Sequence, residues 1–471
     1  MTPRNDHFDL VVIGAGSGGL VGARFAAQLG ARVALIEKNR IGGDCTWTGC
    51  VPSKALLKAA KVAQEVRTAV RYGVVTSPPT VNMSAVREYV RGAIQGVYQF
   101  ETPKALAGEG IEVLLGEARF LDDSAVAVGD RTIRSKGFLL TTGARPIVPP
   151  IAGLQDVPFI TYEQVVENDA LPRSLTIVGG GPIGMEMAQA YQRLGAQVTV
   201  VSVHVLPKED PDVQQLIKNV LEREGVRFVS EKAKSARKDA DAIIIATDQQ
   251  EVHCDMLMIA VGRKPNIEGL ELEKAGVEYS PHGVSVDDRL RTNVKHIYAA
   301  GDVTGTYQFT HYAGWQAFQA VRNALLPGSS PGISNLVPWV TFTDPEVAHI
   351  GATEEQARTE NENCICVYRR ELRHVDRAVC ENDLSGLLKI ITKPDGAILG
   401  ATIVAARAGE AITEIIVAMK QRMKIGDLAS TIHPYPTYST GVQQIAADIA
   451  VEQQLSGISG KLVRWLSKAV R

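Results

Sequence analysis

Two stretches of the chain share one order of apolar and polar positions. Residues 8–38 read FDLVVIGAGSGGLVGARFAAQLGARVALIEK, and residues 174–202 read SLTIVGGGPIGMEMAQAYQRLGAQVTVVS. Each stretch starts with an apolar, β-branched run of strand length, passes through a cluster of glycines, continues with apolar residues at helical spacing and ends in a second apolar run. This order predicts a strand, a helix and a second, parallel strand. The repeat therefore predicts two doubly wound α/β domains.

The pattern changes near Val337. The segments CICVYRR and GLLKIITK alternate like strands with one buried face, whereas AGEAITEIIVAMKQRM has the spacing of an amphipathic helix. We therefore expect a further domain of the α+β class. The Pro-rich stretch TTGARPIVPP, residues 141–150, and a break near Gly262–Asn266 divide the preceding part of the chain. The predicted domains are residues 1–150 together with 267–336, residues 151–266, and residues 337–471.

Length, charge and cysteine content narrow the class of protein. At 471 residues the chain is too long for one hydrophobic core. Its formal net charge of −2 gives no reason to expect nucleic acid or a membrane surface as a partner. No apolar run reaches transmembrane length, and the first residues, MTPRNDHFDL, lack the apolar core of a signal peptide. These features predict a cytoplasmic protein, in which six cysteines are too few to form a disulfide framework.

The glycines of the first repeat have the spacing of a dinucleotide-binding turn. Gly14, Gly16 and Gly19 supply the tight turn, the close approach to a ligand and the contact between helix and strand, and a pyrophosphate would bind at the N-terminus of the helix. Glu37 ends the next strand, about twenty residues further on, where a carboxylate accepts hydrogen bonds from ribose hydroxyls. A glycine-rich turn without a ligand is the alternative, and the matching acid argues against it.

The second repeat has the same turn at Gly179, Gly181 and Gly184, but its second strand ends differently. An NADH site usually has Asp or Glu at the end of this strand, and this chain has Ser202. No arginine stands there to bind the 2′-phosphate of NADPH either. Since the missing acid removes repulsion, and Ser202 and His204 together offer hydrogen-bond donors, we predict NADPH with weak discrimination against NADH. The alternative is that His204 is a surface residue of the loop.

Two cysteines stand close together in GGDCTWTGCVPSK, residues 42–54. Cys45 and Cys50 are separated by four residues, and on a helix they would form a disulfide only with distortion, which makes the bond reducible. The apolar and basic run after Cys50 predicts a helix, whose N-terminus lowers a thiol pKa and favours the thiolate. Two buried structural thiols or half of a zinc site are the alternatives, although no further ligands stand at zinc-finger spacing.

The same segment resembles the active-site segment of the class I pyridine nucleotide–disulfide oxidoreductases, a family that includes lipoamide dehydrogenase, glutathione reductase and mercuric reductase. Further motifs stand in the family's order along nearly the whole chain: LLTTGARP, IAVGRKPN, IYAAGDVTG and VPWVTFTDPEVAHIG. The first two contain Thr142, Gly143 and Gly262, which the resemblance marks as cofactor-binding. The resemblance implies an α/β protein with two Rossmann-type, doubly wound nucleotide-binding domains, for FAD and NAD(P)H, and a C-terminal α+β dimerisation domain. It also implies a homodimer.

The resemblance assigns roles to individual residues. Cys50 matches the cysteine beside the flavin, and Cys45 matches the outer thiol that meets the substrate. Lys54 matches the lysine near the flavin, and Glu186 matches its ion-pair partner. Asp302 matches the acid that binds the ribityl chain of FAD. These roles agree with elementary electrostatics, because a lysine cation stabilises a reduced flavin anion and a neighbouring carboxylate fixes the lysine.

The segment IHPYPTYST, residues 432–440, departs from the disulfide reductases of the family. Those enzymes have a His that protonates the leaving thiolate and, five residues later, a Glu that orients it. This chain has Tyr435 and Thr440 at the two positions, and mercuric reductases also have a Tyr at the first of them. His433 lies two residues earlier and is the alternative acid. By resemblance, this segment completes the active site of the partner subunit.

The departure favours a soft metal ion, such as Hg(II), as the electron acceptor, because thiolates bind such ions readily and their reduction needs no proton donor. A small-molecule or protein disulfide is the first alternative, and direct reduction of quinones by the flavin is the second. A non-catalytic flavoprotein scaffold is a remote alternative, since a scaffold needs none of Cys45, Cys50, Lys54 and Glu186. We expect no resident metal ion.

The remaining cysteines and the C-terminal tail lie outside these motifs. Cys364 and Cys366 flank one residue in a strand-like run, so they are expected to share a face. Together with Cys254 and Cys380 they are predicted to be buried packing thiols, with a metal relay as the alternative. The basic tail, residues 461–471, is predicted to be a terminal helix docked on the protein, with binding to a membrane surface as the alternative.

Overall fold

The computed structural model describes residues 6–167, 170–362 and 364–455, together with residues 460, 465 and 466. It separates into two compact units, Met1–Val203 with Val226–Ser334 and His204–Gly225 with Asn335–Arg471. The basic residues of the predicted terminal helix lie outside the described residues; they are Lys461, Arg464, Lys468 and Arg471. Within the described ranges, no helix is both long and apolar enough to cross a membrane.

The first unit contains two parallel sheets, one for each repeat seen in the sequence. The strands of the larger sheet lie in the order Ile297–Ala299, Phe138–Leu140, Leu10–Ile13, Val33–Glu37 and Ile111–Leu115. The strands of the smaller sheet lie in the order Arg227–Val229, Gln197–Val201, Ser174–Val178 and Met256–Ile259. Both strand–helix–strand repeats are therefore confirmed, with Leu10 opposite Val33 in one and Ser174 opposite Gln197 in the other.

The strand Leu10–Ile13 shows why the larger sheet has continuous apolar runs. Its side chains alternate between the helices Ser17–Gln28 and Thr310–Leu325 on one face and a cluster that contains Phe120 on the other. All four residues are at most 3% exposed. A strand covered on both faces has no polar side. Ligands of such sheets bind beyond the carboxyl ends of the strands, where the first glycine turn lies.

The other elements of the first unit are helices and short strands. The helices are Gly43–Trp47, Cys50–Thr68, Met83–Tyr98, Pro103–Gly108 and Pro182–Leu194, with 3₁₀ turns at Ala69–Tyr72, Leu154–Asp156, Val165–Glu167, Leu272–Ala275 and Gly301–Thr304. One sheet contains His7–Phe8, Arg131–Ser135, Ala125–Val128 and Ala118–Asp122, and another contains Ser235–Asp239, Ala242–Ala246 and Glu251–Cys254. Two strand pairs are Ala144–Pro146 with Arg263–Pro265 and Tyr279–Ser280 with Gly283–Val284.

The second unit is built on a five-stranded antiparallel sheet, as the alternating segments predict. Its strands lie in the order Trp339–Thr341, Glu346–Gly351, Ile398–Ala405, Leu387–Thr392 and Cys366–Glu371. Its helices are Pro211–Arg223, Glu354–Glu360, Asp376–Cys380, Ala408–Ala411, Thr413–Lys420, Ile425–Ala429 and Ser439–Leu455, with a 3₁₀ turn at Leu372–His374. The single amphipathic helix predicted from Ala408 onwards is wrong in one respect, because the helix is interrupted after Ala411.

The helix Pro211–Arg223 belongs to the second unit, where a buried lysine holds its start. Lys389 Nζ, on a side chain that is 1% exposed, donates to Asp210 Oδ2 at 3.0 Å and to Asp212 Oδ1 at 2.6 Å. A buried ammonium group requires such paired carboxylates, so this contact fixes the helix on the strand Leu387–Thr392. The two units are a coarser division than the three predicted domains, which stay a prediction.

The predicted burial of the cysteines outside the redox motif is wrong for three of the four. Cys254 is buried, but Cys364 and Cys380 are exposed and Cys366 is half-buried. Cys366 begins the strand at one edge of its sheet, and Cys364 precedes that strand. The two thiols therefore do not share a strand face.

Candidate active site

The first glycine turn leaves room for a phosphate at the N-terminus of a helix. Gly16 caps the helix Ser17–Gln28 without any side-chain hydrogen bond to the first N–H groups. A Cβ on Gly14 would lie 2.4 Å from the Thr141 carbonyl oxygen, and a Cβ on Gly19 would lie 1.8 Å from the Gly14 carbonyl oxygen, so neither position accepts a side chain. The residues present therefore fit a dinucleotide whose pyrophosphate binds these N–H groups and the positive end of the helix dipole.

Glu37 supports this turn from the end of the neighbouring strand. Its carboxylate accepts hydrogen bonds from Ala15 N at 2.8 Å and from Asn39 N at 2.7 Å, and the residue is buried. Each carboxylate oxygen has more than one acceptor site. The ribose contact predicted from the sequence is compatible with these bonds and stays a prediction.

The second glycine turn repeats the geometry of the first. Gly181 caps the helix Pro182–Leu194 without a side-chain hydrogen bond, and no atom lies within 4 Å of a Cβ built on Gly181. A Cβ on Gly184 would lie 2.1 Å from the Gly179 carbonyl oxygen. The turn therefore offers a second helix N-terminus with space for a phosphate group.

Ser202 and His204, the candidate contacts to the nicotinamide nucleotide, fall in different units. Ser202 is half-buried directly after the strand Gln197–Val201, and its N–H donates to the Val229 carbonyl at 3.0 Å. His204 is exposed at the start of the second unit. A shared role in binding a 2′-phosphate stays a prediction.

The cofactor candidates Thr142, Gly143 and Gly262 lie at the ends of one antiparallel strand pair. Thr142 Oγ1 donates to the Asn266 carbonyl at 2.6 Å. Gly143 and Gly262 have φ angles of +72° and +131°, in a region where L side chains are strained. No atom lies within 4 Å of a Cβ on Gly143, so the backbone is open at this point. Contact of these residues with a cofactor stays a prediction.

Cys45 and Cys50 belong to two helices rather than one. Cys45 lies in the short helix Gly43–Trp47, and Cys50 is the first residue of the helix Cys50–Thr68. The prediction that both stand on one distorted helix is wrong, because the backbone at Gly49, with φ −102° and ψ −107°, leaves the helical region. The predicted helix after Cys50 is confirmed, and both cysteines are thiols in this structure.

A hydrogen bond between the two thiols changes their acidities in opposite directions. Cys45 donates to Cys50, which raises the pKa of Cys45 and lowers the pKa of Cys50 to about 6. Burial opposes the lowering at Cys50, whereas the Thr310 hydroxyl, 3.2 Å from the sulfur, and the Lys54 cation support it. At neutral pH this arrangement favours a thiolate on Cys50 and a protonated thiol on Cys45.

Lys54 and Glu186 form an ion pair between two helices. Lys54 Nζ donates to Glu186 Oε2 at 2.8 Å, linking the helix Cys50–Thr68 to the helix Pro182–Leu194. The Glu186 side chain is 7% exposed, so its carboxylate depends on the cation for compensation of its charge. The partnership implied by the resemblance is present, and its role beside a flavin stays a prediction.

Asp302 is paired with Arg263, which is not among the site residues predicted from the sequence. Arg263 Nη1 lies 2.9 Å from Asp302 Oδ2, and Arg263 Nη2 donates to Asp44 Oδ2 at 2.6 Å. Burial raises the pKa of Asp302 against the lowering effect of Arg263. The place of Arg263 in the motif IAVGRKPN could have marked it as a site residue. No sequence motif or spacing connects Arg263 with Asp44.

Both ring nitrogens of His433 are engaged within the second unit. Nδ1 donates to the Thr431 carbonyl at 2.9 Å, and Nε2 lies 2.6 Å from Glu414 Oε2. Burial lowers the pKa of His433, but these hydrogen bonds outweigh it and raise the pKa above its ordinary value. Glu414 lies on the helix Thr413–Lys420, and no motif pointed to it.

Tyr435 is one of the exposed residues of this segment. The residue is 69% exposed to solvent, and its hydroxyl donates a hydrogen bond to Asp376 Oδ2 at 2.8 Å. That hydrogen bond and the charge of Asp376 raise the pKa of Tyr435, so the phenol stays protonated at neutral pH. Thr440 is 9% exposed, and its hydroxyl donates to the Pro434 carbonyl at 3.1 Å.

Two family models match the chain. Residues 8–317 match the pyridine nucleotide-disulphide oxidoreductase family, and residues 337–446 match the dimerisation domain of that family. The chain belongs to the class I pyridine nucleotide–disulfide oxidoreductases. The family and the α/β fold class expected from the sequence are confirmed.

Individual members of the family match almost end to end. Dihydrolipoyl dehydrogenase of Haloferax volcanii is 35% identical over 466 residues, which cover 95% of this chain and 97% of that enzyme. A mercuric reductase of Bacillus cereus is 32% identical over 448 residues, which cover 93% of this chain and 71% of that enzyme. The Cu(II) complex of RclA, the HOCl-induced flavoprotein disulfide reductase of Escherichia coli, matches with a TM-score of 0.85 and 28% identity over 94% of this chain and 99% of that one.

Membership establishes the enzyme class and the cofactors. Pyridine nucleotide–disulfide oxidoreductases are FAD-dependent enzymes that use NAD(P)H. The two glycine turns described above offer one helix N-terminus for each dinucleotide. In the described part of the chain, no group of three or more His, Cys, Asp or Glu side chains is arranged to hold a metal ion.

Proposed function

We propose that this oxidoreductase passes electrons from NAD(P)H, through FAD and the Cys45–Cys50 pair, to a soft metal ion such as Hg(II). FAD, held at the first glycine turn, would supply the redox chemistry that links hydride donation by the nicotinamide to reduction of the disulfide. The Cys45–Cys50 disulfide takes up two electrons and one proton, which breaks the S–S bond and leaves Cys50 as the thiolate and Cys45 as the outer thiol that meets the acceptor. Lys54, oriented by Glu186, stabilises negative charge on the reduced cofactor.

Further cofactor contacts follow from the same assignment. Asp302 would hold the ribityl chain of FAD, and Glu37 would bind its ribose. We propose NADPH as the preferred nucleotide, because the strand after the second glycine turn ends in Ser202 rather than in an acid. The discrimination against NADH is expected to be weak, since no arginine follows Ser202 directly.

The hydrogen bonding of His433 and the acidity of Tyr435, the two candidate proton donors, are the main support for a metal ion as the acceptor. Reduction of a disulfide releases a thiolate, and a positioned acid accelerates such a step by ~10²–10⁴-fold. His433 is bonded through both ring nitrogens, and Tyr435 is a phenol with a raised pKa. A metal ion that leaves in reduced form needs no proton, and the Tyr435 hydroxyl can instead hold it near the thiolates.

The relatives support a metal acceptor in two ways. One matching enzyme is a mercuric reductase, and one matching structure is a flavoprotein disulfide reductase in complex with Cu(II). Thiolates bind soft ions more strongly than hard ones. Hg(II) and Cu(II) are therefore the ions to test first.

A small-molecule or protein disulfide is the second candidate acceptor, and the ion pair of His433 with Glu414 favours it. A carboxylate that orients a histidine is the arrangement a proton donor needs. The 35% identity to a dihydrolipoyl dehydrogenase points to lipoamide within this class. Quinone reduction directly at the flavin stays a further alternative. A non-catalytic flavoprotein scaffold is a remote alternative.

We also propose that the enzyme is a cytoplasmic homodimer in which the segment 432–440 of one subunit completes the site of the other. The match to a dimerisation domain supports the dimer. Ile432 is 96% exposed next to the exposed Tyr435, and apolar side chains grouped in this way are typical of a surface that another subunit covers.

An acceptor screen on the purified holoenzyme tests the proposal. We expect NADPH oxidation with Hg(II) or Cu(II) to exceed oxidation with glutathione disulfide or lipoamide by about a hundredfold or more, because only the disulfides need the acid. Each rate is corrected for the reaction without enzyme, and NADH is measured in parallel. Efficient turnover of a disulfide, with slow turnover of every metal ion, would move the function to the second candidate.

The assignment of Cys50 has its own spectroscopic test. Anaerobic reduction of the holoenzyme is expected to produce a long-wavelength absorption band from the Cys50 thiolate next to the flavin. Because the pKa of Cys50 is lowered to about 6, the band is present above this pH and fades as the pH falls through it. Cys45→Ala removes the hydrogen-bond donor and should move the midpoint to higher pH. A band that survives Cys50→Ser would show that the assignment is wrong.

A further inference from the structure

One arginine joins the redox segment to the acid proposed for the flavin site. Arg263 Nη2 donates to Asp44 Oδ2 at 2.6 Å, and Arg263 Nη1 lies 2.9 Å from Asp302 Oδ2. The side chains of Arg263, Asp302 and Asp44 are 16%, 11% and 30% exposed. Asp44 lies in the short helix Gly43–Trp47 and directly precedes Cys45. The ion pairs therefore connect two parts of the proposed electron path, and we call these three residues the carboxylate bridge.

Neighbouring groups fix the orientation of the carboxylate bridge. The Tyr162 hydroxyl accepts from Arg263 Nε at 3.0 Å and lies 3.4 Å from Asp44 Oδ2. The Thr48 hydroxyl donates to Asp44 Oδ1. Both carboxylate oxygens of Asp44 thus have donors, and the planar guanidinium presents its own donors in fixed directions. Asp44 is held in one place beside the cysteines rather than as a mobile surface acid.

The charges of the bridge do not cancel. Two carboxylates face one guanidinium, which leaves one net negative charge when all three groups are ionised. The Glu163 carboxylate, which interacts with both Asp44 and Arg263, adds to this negative charge when it is ionised. Reduction of the pair adds another: the Cys45–Cys50 disulfide takes up two electrons and one proton, and the S–S bond is replaced by a Cys45 thiol and a Cys50 thiolate. A fixed negative charge nearby opposes the thiolate. In agreement, Asp44 raises the pKa of Cys50, against the stronger lowering by Cys45 and the lowering by Lys54.

We propose that Asp44 is a positioning residue that sets the reducing power of the Cys45–Cys50 pair. Held by Arg263, its carboxylate disfavours the reduced pair and so makes that pair a stronger reductant toward the acceptor. The inference rests on the proposed role of Cys50 as the thiolate and is independent of which acceptor the enzyme uses.

The test is Asp44→Asn in the holoenzyme, with the pH midpoint of the long-wavelength thiolate band as the first readout. Asn keeps the size of the side chain and one acceptor oxygen but removes the charge. We expect the midpoint to move to lower pH, corresponding to a several-fold to about tenfold stronger dissociation of Cys50, since Asp44 is partly exposed and already paired. The reduction potential of the pair should become more positive, by about 30 mV for a tenfold change.

Two control variants distinguish an effect of the Asp44 charge from an effect of altered local structure. Asp44→Glu retains the charge and should leave the midpoint close to that of the parent. Tyr162→Phe removes the hydroxyl that accepts from Arg263 but leaves every charge of the bridge in place. A merely structural role for Asp44 predicts that Tyr162→Phe and Asp44→Asn act alike, whereas the proposal predicts a shift in Asp44→Asn alone.

Bound FAD and the melting temperature report whether each variant is folded, and Asp44→Ser replaces Asp44→Asn if the latter loses FAD. The potential is measured a second time by thiol labelling in dithiothreitol buffers, which does not depend on the absorption band. An unchanged or more negative potential in the charge-removing variant, or an equal change in Tyr162→Phe, would overturn the proposal. If the parent has no band, the assignment of Cys50 fails, and the labelling measurement decides on Asp44.

Discussion

Cys45→Ser is expected to abolish the reduction of metal ions and disulfides while sparing the reduction of quinones and dyes by the flavin. The outer thiol makes the bond to the acceptor, and removal of a covalent nucleophile typically costs several orders of magnitude in turnover. Hydride transfer from the nicotinamide to the flavin does not use Cys45. The two activities are measured on one preparation, with NADPH oxidation by Hg(II) and by a quinone as the readouts.

Cys364→Ser is the matched control for this variant. Cys364 is an exposed thiol that lies outside the redox segment, so its loss should leave both activities close to those of the parent. Loss of both activities in Cys45→Ser, with normal FAD content, would contradict the separate roles assigned to the two cysteines. An equal loss of metal reduction in Cys364→Ser would show that a thiol outside the pair takes part.

The two nucleotide-binding turns were predictable from the sequence because their backbone geometry requires glycines at a fixed spacing. A Cβ on Gly14 or on Gly184 would meet a backbone carbonyl within 2.4 Å, so no other residue fits. The strands on either side are buried on both faces and therefore appear as continuous apolar runs. Pattern and backbone requirement agree at these positions, and both repeats are present as predicted.

Contacts between distant parts of the chain were not predictable in this way. Glu414 is 19 residues from His433, and 219 residues separate Asp44 from Arg263, so no spacing rule joins either pair. The resemblance supplied the partnership of Lys54 with Glu186, which spans 132 residues, because motif order carries information that periodicity does not. The same limit applies to Cys366, because its place in an edge strand depends on the pairing of strands that are distant in sequence.

The helix break between the two redox cysteines was also missed, for a local reason. Four intervening residues are compatible with one helix, and Gly49 by itself does not decide whether the helix continues. The structure places Cys50 at the start of its own helix, where a thiolate is favoured. Cys50 is therefore assigned as the thiolate whether or not the two cysteines share a helix.

Tyr435→His together with Thr440→Glu is expected to raise disulfide reductase activity by ~10²–10⁴-fold, the contribution of a positioned proton donor. Tyr435 is exposed and has room for an imidazole, but Thr440 is buried. Tyr435→His alone is therefore the first variant, with a smaller gain because the carboxylate that orients the ring is missing. The turnover of glutathione disulfide and lipoamide is compared with that of Hg(II) in each variant.

Tyr435→Phe and His433→Ala decide between the two candidate residues. If the Tyr435 hydroxyl helps to hold the metal ion, Tyr435→Phe weakens Hg(II) reduction and leaves the thiolate band intact, because its hydrogen bond is to Asp376 rather than to a cysteine. His433 is bonded through both nitrogens to its own unit, so His433→Ala should affect stability more than turnover. Fast turnover of a disulfide by the parent enzyme, lost in His433→Ala, would assign the proton donor to His433 and make the enzyme a disulfide reductase.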